Sequence, residues 1–301
     1  MTAAFTLVGL LLLLALGVWS AAVCDRVALV GAGRGVIAHP LRQAVLLLAQ
    51  QQNETERPDW LNWKLAPPLY LALAAAGLSV VPLAPGAVLA DVDAGIVLWG
   101  AVEALTVVVV FLHGWSANSQ LALIAAYRYV AIGLPVMLVS MFVLIAAALP
   151  AESLAISAIV ESQRAGWNIL GQPLGFVLFL LLGLSLSFRG PFNYADSSDV
   201  AGGTATEISG AHRLTWEIAR LAILVAFAAM AAAVFLGGYL GPLLPGPLWV
   251  FLKTLAVLAL MVAATHAFVR LPPARMLTLL WVAGLPLAFV HLAIVGLEVL
   301  G

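Results

Sequence analysis

The sequence predicts an all-α polytopic membrane protein, with about eight transmembrane helices and one amphipathic helix on the cytoplasmic membrane surface. Hydrophobic residues make up 64% of the 301 residues and charged residues only 9%, whereas soluble domains carry about 25% charged residues. A soluble protein this apolar could not cover its own surface, so the solvent around the chain must be lipid. The net charge of −1 gives no reason to expect a nucleic-acid partner.

Eight apolar stretches predict the membrane spans. A helix needs about 20 apolar residues to cross a hydrocarbon core of roughly 30 Å. The predicted spans of this single membrane domain (residues 1–301) are 3–23, 66–85, 92–113, 130–150, 168–188, 213–238, 247–269 and 275–299. The first stretch lacks a positively charged start, so we interpret it as a retained helix and not as a cleaved signal.

The arrangement of Arg and Lys predicts the orientation. Loops after odd-numbered spans contain ten of these residues, and loops after even-numbered spans contain only Arg164. Positive residues accumulate on the cytoplasmic side. We therefore expect loops 24–65, 114–129 and 189–212 to face the cytoplasm, and both termini to face outward from a bacterial inner membrane.

The first of these loops contains a predicted surface helix. The stretch "HPLRQAVLLLAQQ" begins with a proline at position 40, which suits the first turn of a helix. Its apolar residues are too few to cross the bilayer, so we expect it to lie along the membrane surface.

Four charged residues lie more than two positions from the ends of predicted spans, where each costs roughly 2.5–3.5 kcal/mol on insertion scales. Glu103 is mid-span, and it either belongs to a proton path or accepts a structural hydrogen bond. Glu217 and Arg220 are three residues apart on one helical face, which favours an ion pair. Lys253 either belongs to the proton path or extends its ammonium group to the interface.

Nothing in the sequence indicates catalysis by this chain alone. Cys24 is the only cysteine, so a disulfide or cysteine-ligated iron–sulfur cluster cannot form within the chain. We interpret His266 and His291 as core residues, and no cluster of His, Cys, Asp and Glu has metal-ligand spacing. We expect no catalytic residue, no metal and no cofactor bound by this chain.

The polar loop after the fifth span shows a family resemblance. The stretch "QPLGFVLFLLLGLSLSFRGPFN", followed by "DVAGGTATEISG", resembles the membrane subunit that joins the two arms of respiratory complex I (the H subunit in bacteria, numbered 1 in mitochondria). That family carries Arg-x-Pro-Phe-Asp here, and then an acidic segment ending in Thr-Glu-Tyr-Ser-Gly. The matching residues are Arg189, Pro191, Phe192, Asn193, Asp199, Gly203, Thr206, Glu207, Ser209 and Gly210.

Three further matches lie in the expected order along the chain. They are "GWSANSQLALIAAYR", which runs into Arg128, then "FLGG", and then Lys253 with "FVRLPPAR" and "WVAGLP". The wider superfamily includes membrane subunits of energy-converting nickel–iron hydrogenases and formate hydrogenlyases.

The resemblance implies that the cytoplasmic loops dock a peripheral redox arm and, with it, line a quinone cavity. It implies quinone as the substrate, iron–sulfur clusters in partner subunits, and antiporter-like membrane subunits as further partners. The residues it assigns to the cavity and docking loops are Arg189, Pro191, Phe192, Asn193, Asp199, Glu207, Arg34 and Arg128.

The chain departs from the family at several acidic positions. Leu186 and Asn193 stand where the family has a glutamate and an aspartate, Met137 falls near a glutamate of the fourth helix, and Arg220 replaces one of the sixth. In the surface helix, glutamines occupy the usual charged positions 43, 50 and 51. Carboxylates exchange protons because their pKa values respond to burial and neighbours, and leucine and amides do not.

We therefore hypothesise a divergent member in which proton coupling is either lost or rerouted through the remaining polar groups, which are Glu103, Glu207, Glu217 and Lys253. Two alternatives stay open. One is a membrane anchor of an energy-converting hydrogenase-like complex without a quinone site. The other is a stand-alone secondary transporter with a midplane site around Glu103.

Overall fold

Helices make up most of the chain. The computed structural model describes residues 3–300, except for the side chains of Ser198 and Pro273, and contains no strand in that range. The α-helices are α1 (Ala3–Val30), α2 (His39–Ala49), α3 (Trp60–Ser79), α4 (Gly95–Ser116), α5 (Gln120–Ala148), α6 (Ile156–Ser162), α7 (Asn168–Gly171), α8 (Pro173–Leu186), α9 (Gly210–Phe235), α10 (Gly246–Ala267), α11 (Pro273–Leu279) and α12 (Leu285–Leu300). A π-helical turn, Leu280–Gly284, joins α11 to α12.

Among residues 3–300, six helices are long and apolar enough to cross a membrane: α1, α4, α5, α9, α10 and the continuous α11–α12 segment. The predicted all-α polytopic membrane fold is confirmed. The other two predicted spans differ from expectation. The second corresponds to α3, which starts at Trp60 instead of residue 66. The fifth is interrupted at Gln172, and α8 has only 14 residues, or about 21 Å of rise.

The predicted loop 114–129 is wrong. Helix α4 continues to Ser116 and α5 already begins at Gln120, so the connection is the short turn 117–119. The polar residues of this stretch suggested a loop, but Ser119 has extended backbone angles at the N-cap of α5, a position where serine is favoured. The surface helix is present as α2, with Pro40 in its first turn.

Helix α9 forms the centre of the bundle. Its residues from Ala222 to Phe235 are all buried, and α3, α10, α8 and α1 pack around it. A helix that is apolar on all sides is typical of such a central position. Its many alanines allow neighbouring backbones to approach closely. In contrast, α1 and α12 expose large apolar side chains such as Phe5, Leu12 and Phe289, as helices at a lipid boundary do.

Helices α4 and α5 approach each other closely at Gly114. A methyl group on this glycine would lie 2.6 Å from the carbonyl oxygen of Ala122 and 2.7 Å from the side chain of Ala126. These neighbours belong to the first turns of α5, so only glycine fits here. The close approach fixes the spacing of the two helices that enclose Glu103.

We predict that Gly114→Ala lowers the thermal stability of the detergent-purified chain, because overpacking against backbone costs typically about 1–3 kcal/mol. Gly100 is the matched control, since it lies on the same helix and a methyl group there would meet nothing within 4 Å. Gly100→Ala should leave the unfolding midpoint unchanged or raise it. Equal midpoints for both variants would contradict this packing account.

Candidate functional site

The polar loop between α8 and α9 comprises residues 187–209. Hydrogen bonds fix its starting point at the end of α8. The carbonyl oxygen of Leu186 accepts hydrogen bonds from the hydroxyls of Tyr70, 3.0 Å, and Tyr129, 2.7 Å. The next turn places Phe188 in the left-handed region at φ +60°, with its ring stacked on Tyr129 at 4.6 Å. Helices α3 and α5 thus fix the direction in which the chain leaves α8.

Arg189 ties the loop to two further helices. Its two terminal nitrogens donate to the carboxylate oxygens of Asp25 on α1, at 2.8 and 2.5 Å. The same carboxylate lies 3.1 Å from Nε2 of His266 on α10. Arg189 was assigned to arm docking from the sequence, and the structure pairs it within the chain. Asp25 was missed because 164 positions separate it from Arg189.

Arg128 on α5 holds the middle of the loop. It lies 2.7 Å from a carboxylate oxygen of Asp199 and donates to the hydroxyl of Ser197 at 2.9 Å. Ser197 in turn donates to Asp199. The Ser197 hydrogen bond and the Arg128 charge hold the pKa of Asp199 below its ordinary value, so this half-exposed carboxylate stays ionised.

A buried ion pair joins the loop to the central helix. The guanidinium of Arg220 lies 3.1 Å from the carboxylate of Asp196, whose side chain is 7% exposed. The backbone N–H and hydroxyl of Thr204 donate to the same carboxylate at 2.9 and 3.0 Å. Burial raises the pKa of Asp196 above its ordinary value, although Arg220 and Thr204 oppose the rise.

The predicted ion pair between Glu217 and Arg220 is wrong. Glu217 accepts from Arg213 at 2.9 Å, on the exposed side of α9. Arg220 turns inward, to Asp196 and to the ring of Phe188, 4.5 Å away. The spacing allowed the predicted pair, but a partner brought by the loop lies closer.

Four other loop residues form hydrogen bonds within the loop or to neighbouring segments. The side chain of Asn193 donates to the carbonyl of Asp196 and accepts from its N–H, both at 3.2 Å. The carbonyl of Pro191 accepts from the N–H of Leu271 at 3.1 Å. Glu207 accepts from the hydroxyl of Ser119 at 2.7 Å, which fastens the loop to the α4–α5 turn. The carbonyl of Phe192 accepts from the hydroxyl of Ser185, 3.3 Å.

Arg34 and Glu103 lie outside this network. Arg34 is exposed between α1 and α2. Glu103 is buried between α4 and α5, and one of its oxygens accepts from Trp99 Nε1 and from the Ser140 hydroxyl, both at 2.7 Å. Within residues 3–300, the hydrogen bonds of Glu103, Glu207 and Glu217 do not connect these three carboxylates to one another. The rerouted proton path stays a prediction.

Lys253 is enclosed near the far end of α9. Its Nζ donates to three backbone carbonyls and lies 4.5 Å from the ring of Trp167 and 5.4 Å from that of Trp249. The carbonyls belong to Leu236 at 2.6 Å, Gly238 at 2.9 Å and Leu240 at 2.6 Å. The side chain is buried and does not extend to the interface. All these contacts favour the cation, which fixes the turn after α9 against α10.

A cavity of about 330 Å³ opens beside the loop, between the α2–α3 connection and the starts of α3 and α9. Its lining includes Asn53, Trp60, Trp63, Lys64 and His212. Indole rings and a lysine at the end of a membrane helix are typical of the interface with water.

Comparison with known proteins identifies the family. The sequence model described as NADH dehydrogenase matches residues 1–296. The chain belongs to the NADH dehydrogenase family. The H subunit of an NADH-quinone oxidoreductase from Cereibacter sphaeroides is 33% identical over 250 residues, which cover 82% of this chain and 79% of the relative. Its counterpart from Rhodopseudomonas palustris is 31% identical over 256 residues, covering 85% and 80%. That from Dehalococcoides mccartyi is 29% identical over 271 residues, covering 89% and 76%.

In this NADH dehydrogenase family chain, helices α1, α5, α9 and α10 hold the α8–α9 loop residues that the sequence motifs selected, whereas Arg34 lies apart from them. Three arginines, Arg128, Arg189 and Arg220, each bind a carboxylate. The loop is therefore an ordered structure held by charge pairs.

We predict that Asp196→Asn destabilises the protein by about 3 kcal/mol, because removing one partner of a buried pair leaves the other charge uncompensated. Asp199→Asn is the matched control. Its carboxylate also binds an arginine, but the side chain is 50% exposed, and exposed pairs contribute at most about 1 kcal/mol. The check is the midpoint of thermal unfolding in detergent. A larger loss from Asp199→Asn would contradict this ranking.

Proposed function

We propose that this chain is the membrane subunit that joins the two arms of a complex I-like NADH-quinone oxidoreductase. In this proposal the α8–α9 loop docks the peripheral redox arm and lines part of a quinone cavity, and the chain itself binds no redox cofactor. The names of its relatives and the ordered loop support this function. The relatives are subunits of quinone oxidoreductases, which favours this proposal over a hydrogenase-like anchor or a stand-alone transporter.

The main support for a docking role is that the loop is ordered and polar. Irregular backbone cannot face lipid, because its polar groups would lack partners. Here the loop's charged groups are paired within the chain, while Asp199, Ala201 and Gly202 remain exposed. An ordered polar surface with small residues fits a hydrophilic protein partner. We infer that this partner is the iron–sulfur arm, with antiporter-like subunits beside the bundle.

We further propose that the loops face the cytoplasm and that both termini face outward. The asymmetry of Arg and Lys supports this orientation. Contacts between the loops support a common side: the hydroxyl of Ser209 donates to the carbonyl of Gln51 at 2.7 Å, Ser119 donates to Glu207, and the N–H of Asp59 donates to the carbonyl of Ser116 at 2.9 Å.

The first experiment is purification of the tagged chain from its own host in mild detergent, with identification of the co-purifying proteins by mass spectrometry. We expect iron–sulfur subunits, a quinone-cavity subunit and antiporter-like membrane proteins. A nickel–iron large subunit would replace this proposal with a hydrogenase-type complex. A chain that emerges alone and monodisperse would overturn both.

Glu103 is the carboxylate we propose for proton transfer in the membrane. Glu103→Gln keeps an oxygen for the Trp99 and Ser140 hydrogen bonds but cannot release a proton. We expect proton transport by the complex in liposomes, driven by NADH and a short-chain quinone, to fall at least about tenfold. Glu298→Gln is the control, because Glu298 is exposed at the end of α12. Unchanged transport in Glu103→Gln would exclude Glu103 from the path.

A further inference from the structure

The fold buries His113 without giving its ring a hydrogen bond. The side chain is 0% exposed, and neither Nδ1 nor Nε2 has a partner among the described residues. The backbone of Thr204 lies beside the ring, but without hydrogen-bond geometry. Rings of Trp216 and Trp63 stack on it at 3.9 and 5.5 Å. Buried polar groups in proteins are satisfied by protein atoms or by ordered water, so this ring position predicts bound water.

His212 connects His113 to the surface. The two imidazole rings lie 5.4 Å apart between centroids. Nε2 of His212 is also buried without a protein partner among the described residues, while the residue lines the cavity of about 330 Å³. The cavity, His212 and His113 therefore follow one another from the surface into the bundle.

Further buried polar groups lie along α4, beyond His113. Glu103, Thr106 and His113 share one face of the helix, since residues three and ten positions apart lie within about 80° of each other. Thr106 is 1% exposed and its hydroxyl has no partner within residues 3–300. At about 1.5 Å per residue, Glu103 lies roughly 15 Å below His113. Direct contact is excluded, so a connection between the two groups requires water molecules beside Thr106.

We propose that His212 and His113 relay protons between the cavity and Glu103, through ordered water along α4. This inference rests on the proton-transfer role proposed for Glu103. In each transfer the imidazole accepts a proton on one nitrogen and releases one from the other, so that the ring ends neutral and exchanges its tautomer before the next transfer. Both nitrogens must be free of fixed protein partners for this step, and those of His113 are, among the residues that the structure describes. His212 is the titratable residue that packs against His113 from α9.

The test uses the assembled complex, purified through the tagged chain and reconstituted into liposomes. His113→Gln keeps polar groups but cannot relay a proton, and His113→Ala leaves space for added imidazole. We expect proton transport to fall at least about tenfold in both variants, and imidazole to restore it in His113→Ala. His291→Ala is the matched control: this histidine is 5% exposed and its Nε2 also lacks a partner among the described residues, but it lies on α12. We expect the His291→Ala complex to transport protons like the wild type, without added imidazole.

The outcomes separate the two proposals. If the wild-type complex transports no protons, the role of Glu103 and the relay both fail. If the wild type transports protons and His113→Gln does so equally well, only the relay fails. An assembled His113→Ala complex that is slow and does not respond to imidazole would show that His113 serves packing, which also overturns the relay.

A second measurement needs no variant. Hydroxyl radicals generated by X-rays form from water bound inside a protein and modify side chains next to it. We expect modification of His113 in the wild-type complex, in spite of its complete burial, and much less of His291. An unmodified His113 would show that no water is bound beside its ring and would overturn the proposal.

Discussion

The structure depends on one constraint: in an apolar bundle, every charged group must find its partner within the chain. Arg189, Arg220 and Lys253 each meet it differently, through Asp25, through Asp196 and through three backbone carbonyls. Uncompensated charges in such surroundings are far more costly than in water. The same pairs that satisfy the charges fix the α8–α9 loop to α1, α9 and α10. An ordered docking surface is therefore a consequence of how the bundle tolerates its own charges.

The helical content and most spans could be predicted from the sequence, because about 20 apolar residues in a row have few other stable arrangements. The sequence predicted span boundaries less well where the length of a helix differs from the length of its apolar run. Helix α3 starts with polar residues before its apolar run, and α8 is too short to cross the bilayer unaided. The motifs selected Arg189 and Arg128 for docking, and the structure shows each of them bound to a carboxylate of the same chain. The motifs could not reveal Asp25 or His113, because tertiary packing alone determines which side chains meet.

The departures from the family pattern have a physical explanation at two positions. Where the family has a glutamate at the end of the fifth helix, this chain has Leu186, whose carbonyl oxygen accepts two tyrosine hydroxyls. Where the family has a glutamate in the sixth helix, this chain has Arg220, and Asp196 supplies the compensating charge from the loop. In this chain the carboxylate that pairs with Arg220 therefore belongs to the loop and not to a helix.

Imidazole side chains are suited to carry protons in such a bundle. A carboxylate that releases its proton becomes an anion, and in this bundle the guanidinium groups of Arg128, Arg189 and Arg220 are already bound to carboxylates. A neutral imidazole both donates and accepts, and it is charged only while the proton passes. The indole rings on either side of His113 also have faces that attract a cation, which would lower the cost of that transient charge. The proposed relay through His212 and His113 would therefore transfer protons without a permanent charge in the apolar interior.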